Sequence, residues 1–345
     1  MKRIEEIDKN LAVKKTVEKD GMTFYDVLEK PFLITGLIND GIFRRMPEDT
    51  AAKVNDGVHT LSTNTAGGAV HFKTNSRKIA IKCKMETVTH FSHMTLCGTS
   101  GFDIYIDNKY SGTFMPPCDM TGGYESCIDF ANDNEKNVTV NFPLYNDVAR
   151  LEIGLCSEAE YAGYNPYDSR KPIVYYGSSI TQGGCASRPG MAYQAIIARR
   201  LGCDYVNLGF SGSAKGEEEM AKYIAGLDMS IFVMDYDYNA PDAQHLLNTH
   251  GKFFKIIREK NPDLPIVLVS QINKYMYEAD KRREIIYTTY KNAAEGGDKN
   301  VYFVDGFKIC PDEADYTVDY LHPSDYGFSF MAKAIGDALD AVING

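Results

Sequence analysis

The sequence predicts a chain of two parts, an antiparallel β-sandwich over residues 1–165 and an α/β unit with five parallel strands over residues 170–345. At 345 residues the chain exceeds the size of about 150 residues that is usual for one domain. The hydrophobic period changes near residue 170, and a polar, proline-containing stretch at 163–168 precedes the change. We therefore expect each part to bury a core of its own.

Alternation of apolar and polar residues predicts the β-sandwich. Around residue 80, apolar side chains occupy every second position and lysines occupy positions on the opposite face. This period of two is typical of strands with one buried face. The apolar members are Ile79, Ile81, Cys83 and Met85, and the pattern recurs at Val70 and Phe72, Phe102 to Ile106, Val138 to Phe142 and Leu151 to Leu155.

Short apolar runs separated by helix-length stretches predict the α/β unit. Alternating strands and helices indicate a parallel sheet that is covered on both faces. The predicted strands are Ile173 to Tyr176, Tyr205 to Leu208, Ser230 to Asp235, Ile266 to Val269 and Val301 to Val304. Helices are expected near 191–201, 216–226, 243–260 and 279–295, and a last helix carries Phe328, Met331, Ala332, Ile335, Leu339 and Val342 at helical spacing.

Composition and charge limit the classes of function. Hydrophobic residues make up 44% of the chain and charged residues 24%, as in ordinary globular proteins. A net charge of −10 disfavours nucleic acid as a partner, because such binding depends on lysine and arginine. The charged start, Met1 to Lys9, lacks a secretory signal, and no run approaches the roughly 18 apolar residues of a membrane span. We expect a cytoplasmic protein with no membrane partner and a neutral substrate; the sequence carries no signal for its oligomeric state.

The cysteine pattern predicts neither disulfides nor a metal site. Eight cysteines are scattered along the chain without a Cys-x-x-Cys pair, so each is expected to be a reduced thiol that packs as a small apolar residue. No dinucleotide-binding glycine pattern occurs either. The sequence therefore implies no cofactor.

A serine follows the first parallel strand, where open α/β sheets place their sites. The segment reads Gly177-Ser178-Ser179-Ile180-Thr181-Gln182-Gly183-Gly184, and its glycines permit a sharp turn. Ser179 is a candidate nucleophile. Alternatively, Ser178 and Ser179 only cap the next helix; phosphate binding is disfavoured because the Gly-Lys-Ser/Thr ending is missing.

Three later loops carry groups that would complete a hydrolytic site. Gly212 after the second strand allows close approach of a backbone N–H, and Asn239 after the third offers an amide N–H, as an oxyanion hole requires. Asp319 stands three residues before His322 and could hold its Nδ1 proton, leaving Nε2 to accept a proton from serine. Each residue alone has an ordinary structural explanation, but their joint occurrence after successive strands favours catalysis.

These segments resemble the SGNH hydrolase superfamily, the GDSL-type lipases and esterases, over roughly residues 171–345. The resemblance implies a flavodoxin-like three-layer α/β/α fold, with Ser179, Asp319 and His322 as the catalytic triad. It also implies an oxyanion hole formed by Ser179, Gly212 and Asn239. Two departures occur: Ser178 replaces the aspartate that usually precedes the nucleophile, and the usual Gly-x-Asn-Asp block reads Asp237-Tyr238-Asn239-Ala240.

The block from Tyr176 to Gly190 is similar to a branch of bacterial carbohydrate acetyl esterases. The first half of the chain, including the Gly101 to Tyr105 stretch, resembles the domain that precedes the catalytic domain in such esterases, which is similar to carbohydrate-binding jelly rolls. The sequence leaves open whether this domain binds sugar or shapes the active site. The resemblance implies deacetylation of short mannan or xylan oligosaccharides. The alternatives are a lipase-like or thioesterase activity on another ester, or an inert carbohydrate-binding protein. Arg188 could bind sugar hydroxyls or, as we expect, fasten its loop to an acidic side chain.

Overall fold

Antiparallel strands dominate the first part of the chain in a computed structural model that describes residues 4–8, 12–13 and 17–345. Within the segment Met1 to Lys9, residues 1–3 and 9 lie outside these ranges. The strands are β1 (Met22–Asp26), β2 (Leu33–Thr35), β3 (Ile38–Asn39), β4 (Phe43–Arg44), β5 (Ala69–Thr74), β6 (Lys78–Lys84), β7 (Phe102–Ile106), β8 (Lys109–Phe114), β9 (Gly123–Asp129), β10 (Lys136–Asn141), β11 (Arg150–Cys156) and β12 (Tyr161–Ala162). Four short helices accompany them, α1 (Ile4–Ile7), α2 (Glu48–Val54), α3 (Asp56–Leu61) and α4 (Leu96–Thr99).

Two sheets pack face to face around one apolar core. The first has the order β1-β11-β6-β9, and the second has the order β12-β5-β10-β7-β8 with β2 added to β5. Inward side chains of both sheets, among them Ile81, Ile153, Phe72 and Val140, belong to the same buried cluster. Their outward neighbours include exposed lysines on β6. The predicted β-sandwich is confirmed.

Five parallel strands form the second part. They are β13 (Ile173–Gly177), β14 (Tyr205–Gly209), β15 (Ile231–Asp235), β16 (Ile266–Val269) and β17 (Val301–Val304), in the spatial order β14-β13-β15-β16-β17. The helices are α5 (Ser179–Gln182), α6 (Tyr193–Leu201), α7 (Glu218–Ala225), α8 (Ala243–Lys260), α9 (Ala279–Glu295) and α10 (Asp325–Asn344). This order is that of a flavodoxin-like sheet, and the predicted three-layer α/β/α fold is confirmed.

Alternate side chains of the parallel strands enter two separate cores, as a sheet covered on both faces requires. Tyr175 and Val233 join one core with α6 and α10. Tyr176 and Met234 join the other with α7, α8 and α9. No helix in the described ranges has the length and apolar character to cross a membrane.

The β-sandwich closes a core of its own, as expected, but the two cores of the α/β part also include residues from the first part. Ala51 on α2 and Val58 on α3 are fully buried in the core that covers one face of the parallel sheet. Leu144 and Tyr145, from the loop between β10 and β11, lie in the core on the other face. The α2–α3 pair was not predicted, because two short helices give little periodic signal. Residues 163–168, where we expected the join, contain neither helix nor strand.

Candidate active site

The turn after β13 places Ser178 and Ser179 in different roles. The Ser178 side chain accepts a hydrogen bond from the Ile180 N–H at 3.2 Å and so caps α5. Ser179 is the first residue of α5, and its Oγ lies next to His322 instead of capping the helix. A Cβ on Gly177 would lie 2.0 Å from the Thr181 side chain, so only glycine permits the turn. The helix-cap alternative therefore holds for Ser178 alone.

A continuous hydrogen-bond chain joins Ser179, His322 and Asp319. The Ser179 Oγ lies 2.8 Å from Nε2 of His322. Nδ1 of the same ring lies 2.7 Å from Asp319 Oδ2. Because a carboxylate can only accept, Nδ1 carries the ring proton and Nε2 is the acceptor for serine. The geometry is that of a general base held in the tautomer it needs.

Asp319 is held in its ionised form. Partial burial opposes its ionisation, but the backbone N–H of His322, at 2.7 Å, and the His322 ring both donate to it, and the Leu321 N–H adds a third donor. The pKa of the carboxyl consequently lies below its ordinary value of 3.8. The group can stabilise an imidazolium throughout the neutral range.

Gly212 and Asn239 stand at strand ends that flank the nucleophile, since Gly177 pairs with Gly209 on β14 and with Asp235 on β15. Gly212 has φ +66°, a left-handed conformation that favours glycine, and faces open space. Asn239 Nδ2 donates one hydrogen bond to the Phe210 carbonyl at 2.7 Å. An amide carries a second N–H, which remains for a ligand.

A buried carboxyl fastens the nucleophile helix to the sheet. Asp235 Oδ2 accepts hydrogen bonds from Thr181 Oγ1 and from the Tyr193 hydroxyl, both at 3.1 Å. Burial, with the neighbouring Asp237 as a lesser cause, raises the pKa of Asp235 well above its ordinary value. These bonds fix α5, and therefore Ser179, relative to β15.

The β-sandwich part supplies two groups to the site that sequence reasoning missed. The Tyr145 hydroxyl donates to the Ser179 carbonyl at 3.0 Å. The Arg45 guanidinium donates to the carbonyls of Gly209 and Leu61 and lies 4.5 Å from the centre of the Phe210 ring. Both side chains are buried. No local pattern could have revealed them, because the contacts span 34 and 164 positions of sequence.

Gln182 links three segments at the base of the site. Its fully buried amide donates to Asn64 Oδ1 at 3.0 Å and to the Leu144 carbonyl at 3.1 Å. It accepts from the Ser211 N–H at 3.0 Å. The loop that carries Gly212 is thus held from below by α5 and by the β-sandwich part.

Arg188 fastens its loop, as expected. Its Nη1 lies 2.8 Å from Oδ2 of Asp103, a fully buried carboxylate on β7, and donates to the Tyr105 hydroxyl. The guanidinium also stacks on Tyr110 at 3.8 Å from the ring centre. Arg188 therefore joins the nucleophile loop to the β-sandwich part, and both N–H donors of its Nη1 are used within the protein.

Sequence profiles of two families match the chain. The GDSL-like lipase/acylhydrolase family matches residues 170–343. The N-terminus of SGNH-hydrolase-type esterases matches residues 22–161. No curated protein sequence matches this chain.

Solved structures share the whole architecture. A protein designated a GDSL-like lipase, from Bacteroides ovatus ATCC 8483, is 30% identical over 93% of this chain and 98% of its own, with a TM-score of 0.85. The salicylyl-acyltransferase SsfX3 from a tetracycline biosynthetic pathway is 21% identical over 94% and 98%, with a TM-score of 0.78. The acetyl xylan esterase Est2A from the rumen bacterium Butyrivibrio proteoclasticus is 14% identical over 93% and 98%, with a TM-score of 0.61. At their identities, the last two show a common fold.

Proposed function

Because the chain belongs to the GDSL-like lipase/acylhydrolase family, we propose that it is a serine esterase that removes O-acetyl groups from hemicellulose-derived oligosaccharides. The hydrogen-bond chain from Ser179 through His322 to Asp319, at 2.8 and 2.7 Å, carries the proposal. Its members come from two distant segments, since Ser179 and His322 are 143 positions apart in sequence. A purely structural set would not need an ionised carboxylate, an oriented imidazole and a serine hydroxyl in series.

In the proposed mechanism, Ser179 Oγ attacks the acetyl carbonyl carbon while His322 Nε2 takes the hydroxyl proton. The N–H groups of Ser179 and Gly212 and the Asn239 amide stabilise the oxyanion. The imidazolium, held by Asp319, then protonates the departing sugar hydroxyl, which leaves an acetyl-enzyme. Water attacks this ester with His322 again as base, releasing acetate and restoring Ser179.

Two exposed tyrosines beside the triad support a carbohydrate substrate. Tyr320 directly follows Asp319 and is 54% exposed, and Tyr275 is 55% exposed. Asn273 joins their loops, since its amide donates to the Tyr320 carbonyl at 2.7 Å and accepts from the Tyr275 N–H at 3.0 Å. Aromatic faces of this kind suit the apolar faces of sugar rings. The shared fold with an acetyl xylan esterase points to the same class of substrate.

Acetate release from acetylated mannan and xylan oligosaccharides tests the substrate, with p-nitrophenyl esters of increasing acyl length as the comparison. We expect acetate to be the preferred acyl group, and faster cleavage of long acyl chains would refute the sugar assignment. Ser179→Ala should abolish turnover and covalent labelling by a fluorophosphonate, whereas Ser178→Ala, which removes only a cap, should still be labelled. Labelling of Ser179→Ala at the normal rate would refute the nucleophile.

A further inference from the structure

Three potential metal ligands converge beside the proposed triad. One donor atom each from His93, Cys185 and His322 lies within 4.8 Å of the others. The Cys185 thiol contacts the His93 carbonyl at 3.4 Å, and the two histidine rings lie 5.5 Å apart, centre to centre. His93 comes from the β-sandwich part, in the loop between β6 and α4, so the cluster exists only where the two parts meet.

The loop that carries His93 is held in place from its base. Asp147 accepts hydrogen bonds from the N–H groups of Glu86 and Thr87, at 2.7 and 2.9 Å. Asn146 accepts from the Thr89 N–H at 2.8 Å and donates to the Thr89 carbonyl. The His93 ring is therefore presented by a fixed loop, which lowers the entropic cost of binding a ligand there.

Cys185 is held in an unusual conformation. Its φ of +71° lies in the left-handed region that residues other than glycine seldom adopt. Such strained positions persist only where the surrounding structure determines them, and they concentrate at functional sites. Here the conformation brings a thiol next to two imidazoles in a chain that needs no thiol for ester hydrolysis.

This donor set matches the preferences of zinc. Zinc binds imidazole nitrogen at about 2.0–2.1 Å and thiolate sulfur at about 2.3 Å, in tetrahedral geometry. Tetrahedral angles would set the donors roughly 3.3–3.6 Å apart, so donor atoms that lie within 4.8 Å of one another would approach by at most about 1.5 Å. Three protein ligands leave a fourth position for water. The Asp319 carboxylate on Nδ1 of His322 supplies the outer hydrogen bond that metal-binding histidines usually have.

We propose that His93, Cys185 and His322 form an inhibitory site for zinc or a similar thiophilic divalent cation. The metal takes the Nε2 lone pair of His322, and the Cys185 thiol releases its proton to solvent. Ser179 then keeps its own proton, because its base is occupied. Inhibition in this form rests on the proposed function, whereas metal binding itself does not.

Esterase assays in metal-free buffer test the inhibition. Zinc should inhibit p-nitrophenyl acetate hydrolysis reversibly, a chelator should restore activity, and calcium and magnesium, which prefer oxygen ligands, should have no effect. Even outer partners of metal ligands contribute about 10–100-fold to metal affinity. We therefore expect His93→Gln and Cys185→Ser to keep their esterase activity and to raise the half-inhibitory zinc concentration at least about tenfold. His90→Gln, an exposed histidine of the same loop, is the matched control and should behave as the parent protein.

Cobalt binding gives a readout that is independent of catalysis. Cobalt(II) bound to a thiolate produces a near-ultraviolet charge-transfer band, which should appear with the parent protein and with Ser179→Ala and be absent with Cys185→Ser. A band in Ser179→Ala without esterase activity in the parent would support the metal site and refute the proposed function. Equal zinc inhibition of His93→Gln, Cys185→Ser and the parent protein, or the same cobalt band in Cys185→Ser, would overturn the metal site.

Discussion

Replacement of Arg45 should separate stability from activity, because this buried cation supports the loop that carries Gly212. Its two terminal nitrogens donate to the carbonyls of Gly209 and Leu61 on either side. A planar fork can span both acceptors, whereas the single ammonium of lysine cannot. The informative pair of variants is therefore Arg45→Lys, which keeps the charge, and Arg45→Met, which removes it.

The magnitudes predict that Arg45→Lys, which keeps the charge, is less stable than Arg45→Met, which removes it. Burial lowers the pKa of Arg45 to about 9, although the nearby Tyr145 acts in the opposite direction. The fall from 12.5 corresponds to roughly 5 kcal/mol of penalty for the buried charge. Each charged hydrogen bond returns about 1.5–3 kcal/mol. Arg45→Met removes both the penalty and the hydrogen bonds, so its free energy of unfolding should stay within about 2 kcal/mol of that of the parent. Arg45→Lys keeps the penalty and loses at least one hydrogen bond, so its free energy of unfolding should fall by about 1.5–3 kcal/mol.

Urea unfolding and kcat for a chromogenic acetate measure the two effects. Both variants should lower kcat by about 10–100-fold, because a small displacement of the Gly212 loop misplaces an oxyanion donor. Arg44→Met is the control, since Arg44 pairs with Asp40 and Glu48 instead; it should keep its kcat. If Arg45→Lys were as stable and active as the parent while Arg45→Met lost both properties, the charge would matter and the fork would not.

Three further predictions concern the oxyanion hole, the ionisation of Asp319 and the contact between the two parts. Asn239→Ala should lower kcat by about 10²–10³ with little change in KM, and an unchanged kcat would remove this residue from the oxyanion hole. Since the depressed pKa of Asp319 keeps the carboxylate charged at every pH above 3.8, its contribution is lost only below that value. The ¹³C chemical shift of the Asp319 carboxyl carbon should therefore stay constant between pH 8 and 5, and a titration midpoint above 3.8 would contradict this. Asp103→Ala leaves the Arg188 cation without its buried partner and should lower the free energy of unfolding by about 3–5 kcal/mol. Glu86→Ala, the control, breaks an exposed pair and should lower it by about 1 kcal/mol or less. Equal losses for the two variants in urea unfolding would show that the buried pair stabilises the fold no more than the exposed one.

The parallel strands could be predicted because they are buried on both faces. Each reads as a short apolar run with little dependence on its neighbours, and the observed bounds of β13 to β17 differ from the predicted ones by at most one residue. The alternating strands of the sandwich could be recognised for a related reason, since one face meets the core and the other meets solvent. These signals are local, and a single sequence contains them.

The five predicted site residues could be found because each follows a strand or precedes a helix in a recognisable block. The structure brings Ser179, His322 and Asp319 into contact, and their catalytic roles stay predictions for the experiments above. The supporting contacts of Arg45 and Tyr145 have no such signature. The same holds for the metal cluster, which we did not expect from the cysteine spacing, because Cys185 and His93 are 92 positions apart in sequence.

The shared core of the two parts restricts how this chain can be recombined with its relatives. The segment 163–172 looks like a convenient place to cut, but α2 and α3 cover part of the parallel sheet, and the Gly209 carbonyl depends on Arg45. A fragment that begins at residue 170 would expose apolar surface and would lack Arg45, which supports the loop that carries Gly212. Chimaeras between homologues should therefore carry residues 43–65 together with the hydrolase part from the same parent, and libraries aimed at substrate range should vary the Tyr275 and Tyr320 loops while leaving that segment fixed.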